Sequence, residues 1–120
     1  MSDEKKAIAA RLRLAREQAG LSQGQVAIKL DLHRPTVSEI EAGRRRVSGD
    51  ELSLFADLYK VSLSWLVRAS DDKADPKRDK AELAARKLMK LKEKDLDLVL
   101  DLLGSLREGG KGAKGDKGRG

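Results

Sequence analysis

The sequence predicts an all-α protein in which a five-helix domain is followed by a C-terminal helical segment. Apolar residues recur at the spacing of one helix face, as Ile8, Leu12 and Ala15 do near the N-terminus. Ser22 and Ser48 are each followed three residues later by glutamine or glutamate, which is the pattern of a helix capping box. The chain has one Trp, one Tyr and one Phe, whereas β-rich domains usually carry more aromatic residues.

Turn-forming residues define the helix boundaries of this domain. Gly20 is expected to end the first helix, because glycine readily adopts the left-handed conformation that follows a helix C-terminus. Asp31 tolerates the same conformation after the second helix, and Pro35 fits only the first turn of the third. These signals predict helices over about 4–19, 22–30, 34–42, 49–59 and 62–68. The expected core comprises Ile8, Leu12, Val26, Leu30, Val37, Ile40, Leu52, Phe55, Val61 and Leu66.

Three further segments follow the predicted domain, which spans residues 1–68. Residues 69–78 read as a linker, because they offer almost nothing to bury and contain a proline. A helical segment over 79–107 follows, and a flexible basic tail is expected over 109–120, where half of the residues are glycine. The helical segment divides into helices over 79–91 and 93–107. The apolar face of the first comprises Ala81, Ala84, Ala85, Leu88 and Met89.

The formal net charge of +6 favours a nucleic-acid partner but does not locate the binding face. Residues 1–70 carry 12 basic and 9 acidic side chains, and residues 71–108 carry 10 of each. Residues 109–120 carry 4 basic and 1 acidic side chain. Half of the excess charge therefore lies in the predicted tail.

The second and third helices are joined by about three residues, which is the geometry of a helix-turn-helix. The run from Arg11 to Leu66, which contains GLSQGQVAIKLDLHRPTVSEIEAG and ends in LYKVSLSWL, resembles the xenobiotic-response-element or phage-repressor type of DNA-binding domain. The residues that carry the resemblance are Leu21-Ser22-Gln23, Val26-Ala27, Leu32, Thr36-Val37, Ile40-Glu41 and Gly43. The resemblance implies a five-helix fold that binds double-stranded DNA.

The resemblance implies that Arg34, Pro35 and Glu39 meet base edges. Arg34 could donate two hydrogen bonds to guanine, and Glu39 could accept one from cytosine. Pro35 departs from the polar residue common in the family and could pack on a thymine methyl group. The alternative for Glu39 is a salt bridge or a solvated side chain.

The predicted phosphate contacts surround the same helix. The resemblance implies contacts from Gln23, His33, Thr36 and Ser38, and a helix N-terminus such as that at Gln23 favours an anion. Arg44, Arg45 and Arg46 follow the recognition helix and suit phosphates beside the groove. The alternatives are a plain capping role for His33 and a solvated loop for the arginines, where cations favour the helix C-terminus.

The last helix carries an apolar stripe that is expected to form a dimer or partner interface: Leu96, Val99, Leu100, Leu103 and Leu106. Self-association is favoured, because regulators that resemble this chain bind DNA as two-fold dimers. The alternative is that these helices pack back onto the first domain.

The leading hypothesis is a homodimeric repressor that reads a palindromic operator. The alternative is an antitoxin-type regulator, since residues 33–48 and the leucine-rich segment resemble small regulators encoded beside a toxin or a metallopeptidase. An enzyme is disfavoured, because the chain has no cysteine, a single histidine and carboxylates expected on solvated faces. No metal, cofactor or membrane partner is expected, and the expected compartment is the cytoplasm.

Overall fold

The computed structural model describes the backbone of residues 3–68 and 75–112, with side chains over 5–68 and 75–106. Within these ranges every regular element is an α-helix, which confirms the predicted fold class. The helices are α1 (Asp3–Gln18), α2 (Gln23–Leu30), α3 (Arg34–Glu41), α4 (Gly49–Tyr59), α5 (Leu63–Val67), α6 (Pro76–Leu88) and α7 (Glu93–Gly112). The chain divides into two compact units, Met1–Ala84 and Ala85–Gly120.

Both predicted capping boxes are present. The Ser22 hydroxyl accepts from the Gln25 backbone N–H at 3.0 Å, and the Gln25 side chain accepts from the Ser22 N–H at 2.8 Å. Ser48 and Glu51 make the same reciprocal bonds at 3.1 and 3.0 Å. These boxes satisfy N–H groups that a helix start otherwise leaves unpaired, which sets the first residues of α2 and α4.

Left-handed residues end several helices. Gly20 and Asp31 have φ angles of 74° and 57°, as their positions after α1 and α2 predict. Lys60, which ends α4, also has a left-handed φ of 59°. The sequence carries no signal for Lys60, because lysine is not a residue that favours this conformation.

The core of the first unit is built from the apolar faces of α1 to α5. Most predicted core residues are buried, whereas Ile8 and Leu30 are half-buried and pack against its edge. Tyr59 and Trp65 are buried as well. The rings of Phe55 and Tyr59 stack with their centroids 5.8 Å apart. This core fixes the orientation of α2 and α3, which form the helix-turn-helix.

The structure corrects the predicted linker and the predicted face of the next helix. α6 begins at Pro76, because proline suits the first turn of a helix and Asp75 accepts from the Arg78 N–H at 3.2 Å. The rest of the predicted linker, 69–74, lies outside the described residues. α6 buries Asp79 and Leu83, while Met89 beyond its end is 85% exposed.

Asp79 is buried because two arginines of the first unit surround it. The Arg11 guanidinium lies 3.2 Å from one Asp79 oxygen and also donates to the Leu66 carbonyl at 3.2 Å. Arg68 lies 3.3 Å from the other Asp79 oxygen. Since the Arg11 and Asp79 side chains are 1% and 3% exposed, the expectation that carboxylates lie on solvated faces is wrong here.

In the second unit, α7 extends beyond the predicted end at Arg107 to Gly112. Residues 109–112 of the predicted tail are thus part of this helix, and residues 113–120 lie outside the described residues. Helix propagation from an established leucine-rich segment needs no new nucleus, so the helix can continue through glycines.

Candidate nucleic-acid interface

The turn between α2 and α3 fixes the orientation of these two helices. Asp31 adopts its left-handed conformation there, and the Leu32 N–H donates to the Ala27 carbonyl at 2.8 Å. Val37 and Ile40 of α3 are buried beneath the turn. With its inner face fixed in this way, α3 presents its N-terminal turn to solvent.

The exposed start of α3 consists of His33, Arg34 and Pro35. His33 occupies the N-cap with an extended backbone, but its side chain makes no capping hydrogen bond. Its carbonyl accepts from the Thr36 N–H at 2.9 Å. Arg34 extends over Gly24 of α2, where an added Cβ would lie 3.8 Å from the Arg34 Cδ. Thr36, next along the helix, is half-buried.

Glu39 and Arg44 pair with each other at the far end of α3. The Arg44 guanidinium donates to both Glu39 oxygens, at 2.9 and 3.0 Å. The Arg44 side chain is 60% exposed and that of Glu39 45%. The hydrogen bond from Arg44 lowers the pKa of Glu39, so the carboxylate is ionised at neutral pH. The salt-bridge alternative for Glu39 is therefore what the unliganded structure contains.

Arg45 is also bound by a carboxylate, whereas Arg46 is not. The Arg45 guanidinium donates to the two Glu51 oxygens at 3.1 and 3.0 Å. Glu51 thus serves both the capping box of α4 and this ion pair. Among the described residues Arg46 has no carboxylate partner, and its side chain is exposed.

A partly buried network ties α3 to α1 and α2. The Arg16 guanidinium donates to both Glu41 oxygens at 2.8 and 3.1 Å, and to the Leu21 carbonyl at 2.9 Å. The Gln23 amide donates to Glu41 at 3.1 Å. The Glu41 side chain is 5% exposed, so it is a second exception to the expected solvated carboxylates.

The network lines a hollow of about 280 Å³ at the start of α2. Gln23 and Ser38, two of the predicted phosphate contacts, line this hollow with Arg13 and Arg16. Arg16 pairs with Glu41 and Arg13 pairs with Glu17 at 3.2 Å, so the N-terminal dipole of α2 is the feature of the hollow that favours an anion. Nothing in the sequence marks Arg16 as part of this network, and the one signal for Glu41 is the family resemblance.

The structure brings some of the predicted DNA contacts together, since Gln23 and Ser38 line one hollow and Glu39 pairs with Arg44. The helix-turn-helix carries Gln23, His33, Arg34, Pro35, Thr36, Ser38 and Glu39, and the loop after α3 carries Arg44, Arg45 and Arg46. The predicted interface residues of α7 belong to the second unit. Leu100, Leu103 and Leu106 are exposed there, and Leu96 and Val99 are half-buried.

Neither a metal-binding cluster nor a membrane-spanning helix is found within the described ranges. No group of three or more His, Asp or Glu side chains in residues 5–68 and 75–106 is placed to hold a metal ion. No described helix combines the length and apolar character needed to cross a membrane.

The chain is similar to known helix-turn-helix proteins. A family described as a helix-turn-helix domain matches residues 7–66. The BldD DNA-binding domain of S. venezulae is 34% identical, with 55% of this chain and 99% of that chain covered at a TM-score of 0.50. A transcriptional regulator from Listeria innocua is 20% identical, with 82% of this chain and 91% of that chain covered at a TM-score of 0.49. No curated protein gives a significant match.

Proposed function

The chain belongs to the xenobiotic-response-element type of the helix-turn-helix domain family, and we propose that it is a homodimeric, sequence-specific transcriptional repressor. It has the fold of the DNA-binding regulators of this family. In this proposal, α3 enters the major groove of a palindromic operator. The protein acts in the cytoplasm and needs no metal or cofactor. The observation that carries it is the exposed start of α3, where Arg34 has no ion-pair partner among the described residues.

Three side chains of α3 are proposed to read bases. The unpaired Arg34 fork suits the O6 and N7 acceptors of guanine, a contact worth about 1–3 kcal/mol of discrimination. Pro35 is exposed beside it and can pack on a thymine methyl group. Glu39 can accept from a cytosine amino group, since its carboxylate is partly exposed.

The proposed phosphate contacts flank these readers. Gln23 is the first residue of α2, where free N–H groups and the helix dipole favour an anion. His33 caps the start of α3 and is exposed, and Thr36 and Ser38 of α3 are half-buried. Arg44, Arg45 and Arg46 supply cationic side chains after its C-terminus.

The proposed dimer uses the apolar face of α7. Leu100, Leu103 and Leu106 are 55%, 49% and 70% exposed, which is unusual for so many leucines on one helix. A symmetric dimer would present two copies of α3 to half-sites about one helical turn, roughly 34 Å, apart. A palindromic operator follows from that symmetry.

The direct test is selection of genomic fragments by the purified full chain, followed by fluorescence anisotropy on the enriched sequences. We expect a pseudo-palindromic site that binds much more tightly than unrelated duplexes at about 150 mM salt. Equal affinity for all duplexes at that salt would rule out sequence-specific recognition. Repression is then tested with a reporter gene downstream of the selected site.

A second candidate function is that of an antitoxin-type regulator, and the exposure of the α7 leucines favours it equally. In that case the same face would hold a toxin or a metallopeptidase. Co-expression with the products of neighbouring genes distinguishes the two. A stable complex supports the antitoxin-type role, and elution of the chain solely as a homodimer argues against it.

A further inference from the structure

The arginines of the proposed interface fall into two groups. Arg44 and Arg45 each place a guanidinium fork on a carboxylate, Glu39 and Glu51 respectively. Arg34 and Arg46 are exposed and have no carboxylate partner among the described residues. Two of these four arginines are therefore held in bidentate intramolecular pairs.

On the basis of the proposed DNA-binding function, we propose that Glu39 and Glu51 compete with DNA phosphates for Arg44 and Arg45, and that Glu39 is thereby a specificity-determining residue. A carboxylate and a phosphate both offer two oxygens that match the guanidinium fork. A phosphate can therefore bind either arginine only after the intramolecular pair opens.

The cost of opening the pairs falls on every duplex, because every duplex has phosphates. A duplex with the correct bases offsets this cost through Arg34, which needs no exchange. Opening also releases the Glu39 oxygens to accept from a cytosine of the operator. The cost of opening thus lowers both affinities alike, whereas the Glu39–cytosine contact is gained with the operator alone and raises the ratio of operator to non-specific affinity.

The pairs are suited to exchange because the arginine of each is exposed. Arg44 and Arg45 side chains are 60% and 42% exposed, and exposed ion pairs contribute little to stability. A phosphate can reach them without unfolding any helix. Buried pairs such as Arg16 with Glu41 could not exchange in this way.

The test measures binding of the full chain to a non-cognate duplex over a range of salt concentrations. We expect Glu39→Gln to bind this duplex about two- to fivefold more tightly, with a log–log salt slope steeper by up to about 0.9. Glu51→Gln should act similarly, since glutamine can still accept from the Ser48 N–H and preserve the cap. Asp57→Asn, at an exposed site on α4, is the control for the change in net charge.

A double-mutant cycle separates competition from simple repulsion between Glu39 and DNA. In an Arg44→Ala background, Glu39→Gln should no longer raise non-specific affinity. An unchanged effect in that background overturns the proposal, as does a Glu39→Gln effect equal to that of Asp57→Asn. Glu39→Gln should gain less affinity for the selected operator than for the non-cognate duplex, and an equal gain for both overturns its role in specificity. Wild-type binding to that operator tests the proposed function independently.

Discussion

At the residue scale, Arg34 is the side chain most clearly available for base recognition. It is exposed at the first residue of α3, and its stem lies over Gly24 rather than against a carboxylate. Arg46 is also exposed but follows the helix, and its proposed contact is to phosphate rather than to a base edge. The two residues should therefore have distinguishable effects on DNA binding.

Arg34→Ala is expected to relax specificity at one base pair, by about 1–3 kcal/mol. Arg46→Ala, as the matched control, should weaken binding to all duplexes alike and reduce the salt slope by about one. Anisotropy titrations with single-base variants of the selected operator measure both. Equal loss of affinity for every sequence in Arg34→Ala would mean that the assigned register of α3 is wrong.

Glu51 links the stability of α4 to pH. The hydrogen bond from Arg45 holds the pKa of Glu51 below its ordinary value of about 4.3. Because the pKa in the folded state is lowered, this stabilisation is present above the ordinary value and is lost as pH falls through the folded value.

Glu51→Gln is expected to lose less stability than wild type when the pH is lowered from about 5 to 3. The free energy of unfolding in urea, measured across this range, checks the difference in slope. Asp57→Asn serves as the control on the same helix. Parallel curves for wild type and Glu51→Gln would show that the Arg45 pair does not stabilise the fold.

At the scale of elements, the first half of α6 is part of the domain that presents the helix-turn-helix. The family match ends at residue 66, yet Asp79 and Leu83 are buried within the first unit. Arg11 of α1 depends on Asp79 for its counter-charge, since both side chains are almost fully buried. Helix α6 therefore stabilises α1, on which α3 also packs.

Asp79→Asn should destabilise the protein by about 3–5 kcal/mol, because it leaves the Arg11 charge buried without an adequate partner. Asp97→Asn, at an exposed position of α7, makes the same chemical change and should have little effect. Urea unfolding of the full chain, followed by circular dichroism, measures both. Equal stabilities would contradict the buried pair between α1 and α6.

At the scale of the whole molecule, the proposed homodimer is formed by the apolar face of α7. Its leucines are more exposed than is usual for a helix that has no partner. A second copy of the chain can cover them symmetrically. Two-fold binding would add the contacts of two recognition helices. Loss of this face should therefore affect operator affinity more than folding of the first unit.

Deletion of residues 92–120 is expected to leave a folded monomer with reduced operator affinity. Deletion of residues 109–120 is the matched control, because it removes the basic tail but retains the α7 leucines. Light scattering gives the oligomeric state, and circular dichroism confirms folding. A dimer that persists without residues 92–120 would relocate the interface to the first unit.

Much of the first unit could be predicted because its signals are local. Ser22 with Gln25 and Ser48 with Glu51 specify helix starts through contacts within one turn. The buried carboxylates could not be predicted in the same way, since Asp79 and Glu41 meet their arginines on other helices. Likewise, the start of α6 depends on Asp75 and Pro76. The composition of this stretch by itself suggests a linker.

The sequence by itself determined the helices, the apolar core and the exposed start of α3, because helical periodicity and capping act over a few residues. The tertiary structure decided which charges are available to a ligand. Arg34, Arg44, Arg45 and Arg46 look alike in the sequence, but folding pairs Arg44 and Arg45 with carboxylates and leaves the other two without one among the described residues. Pairing depends on the three-dimensional position of both partners, which residue type and spacing do not specify.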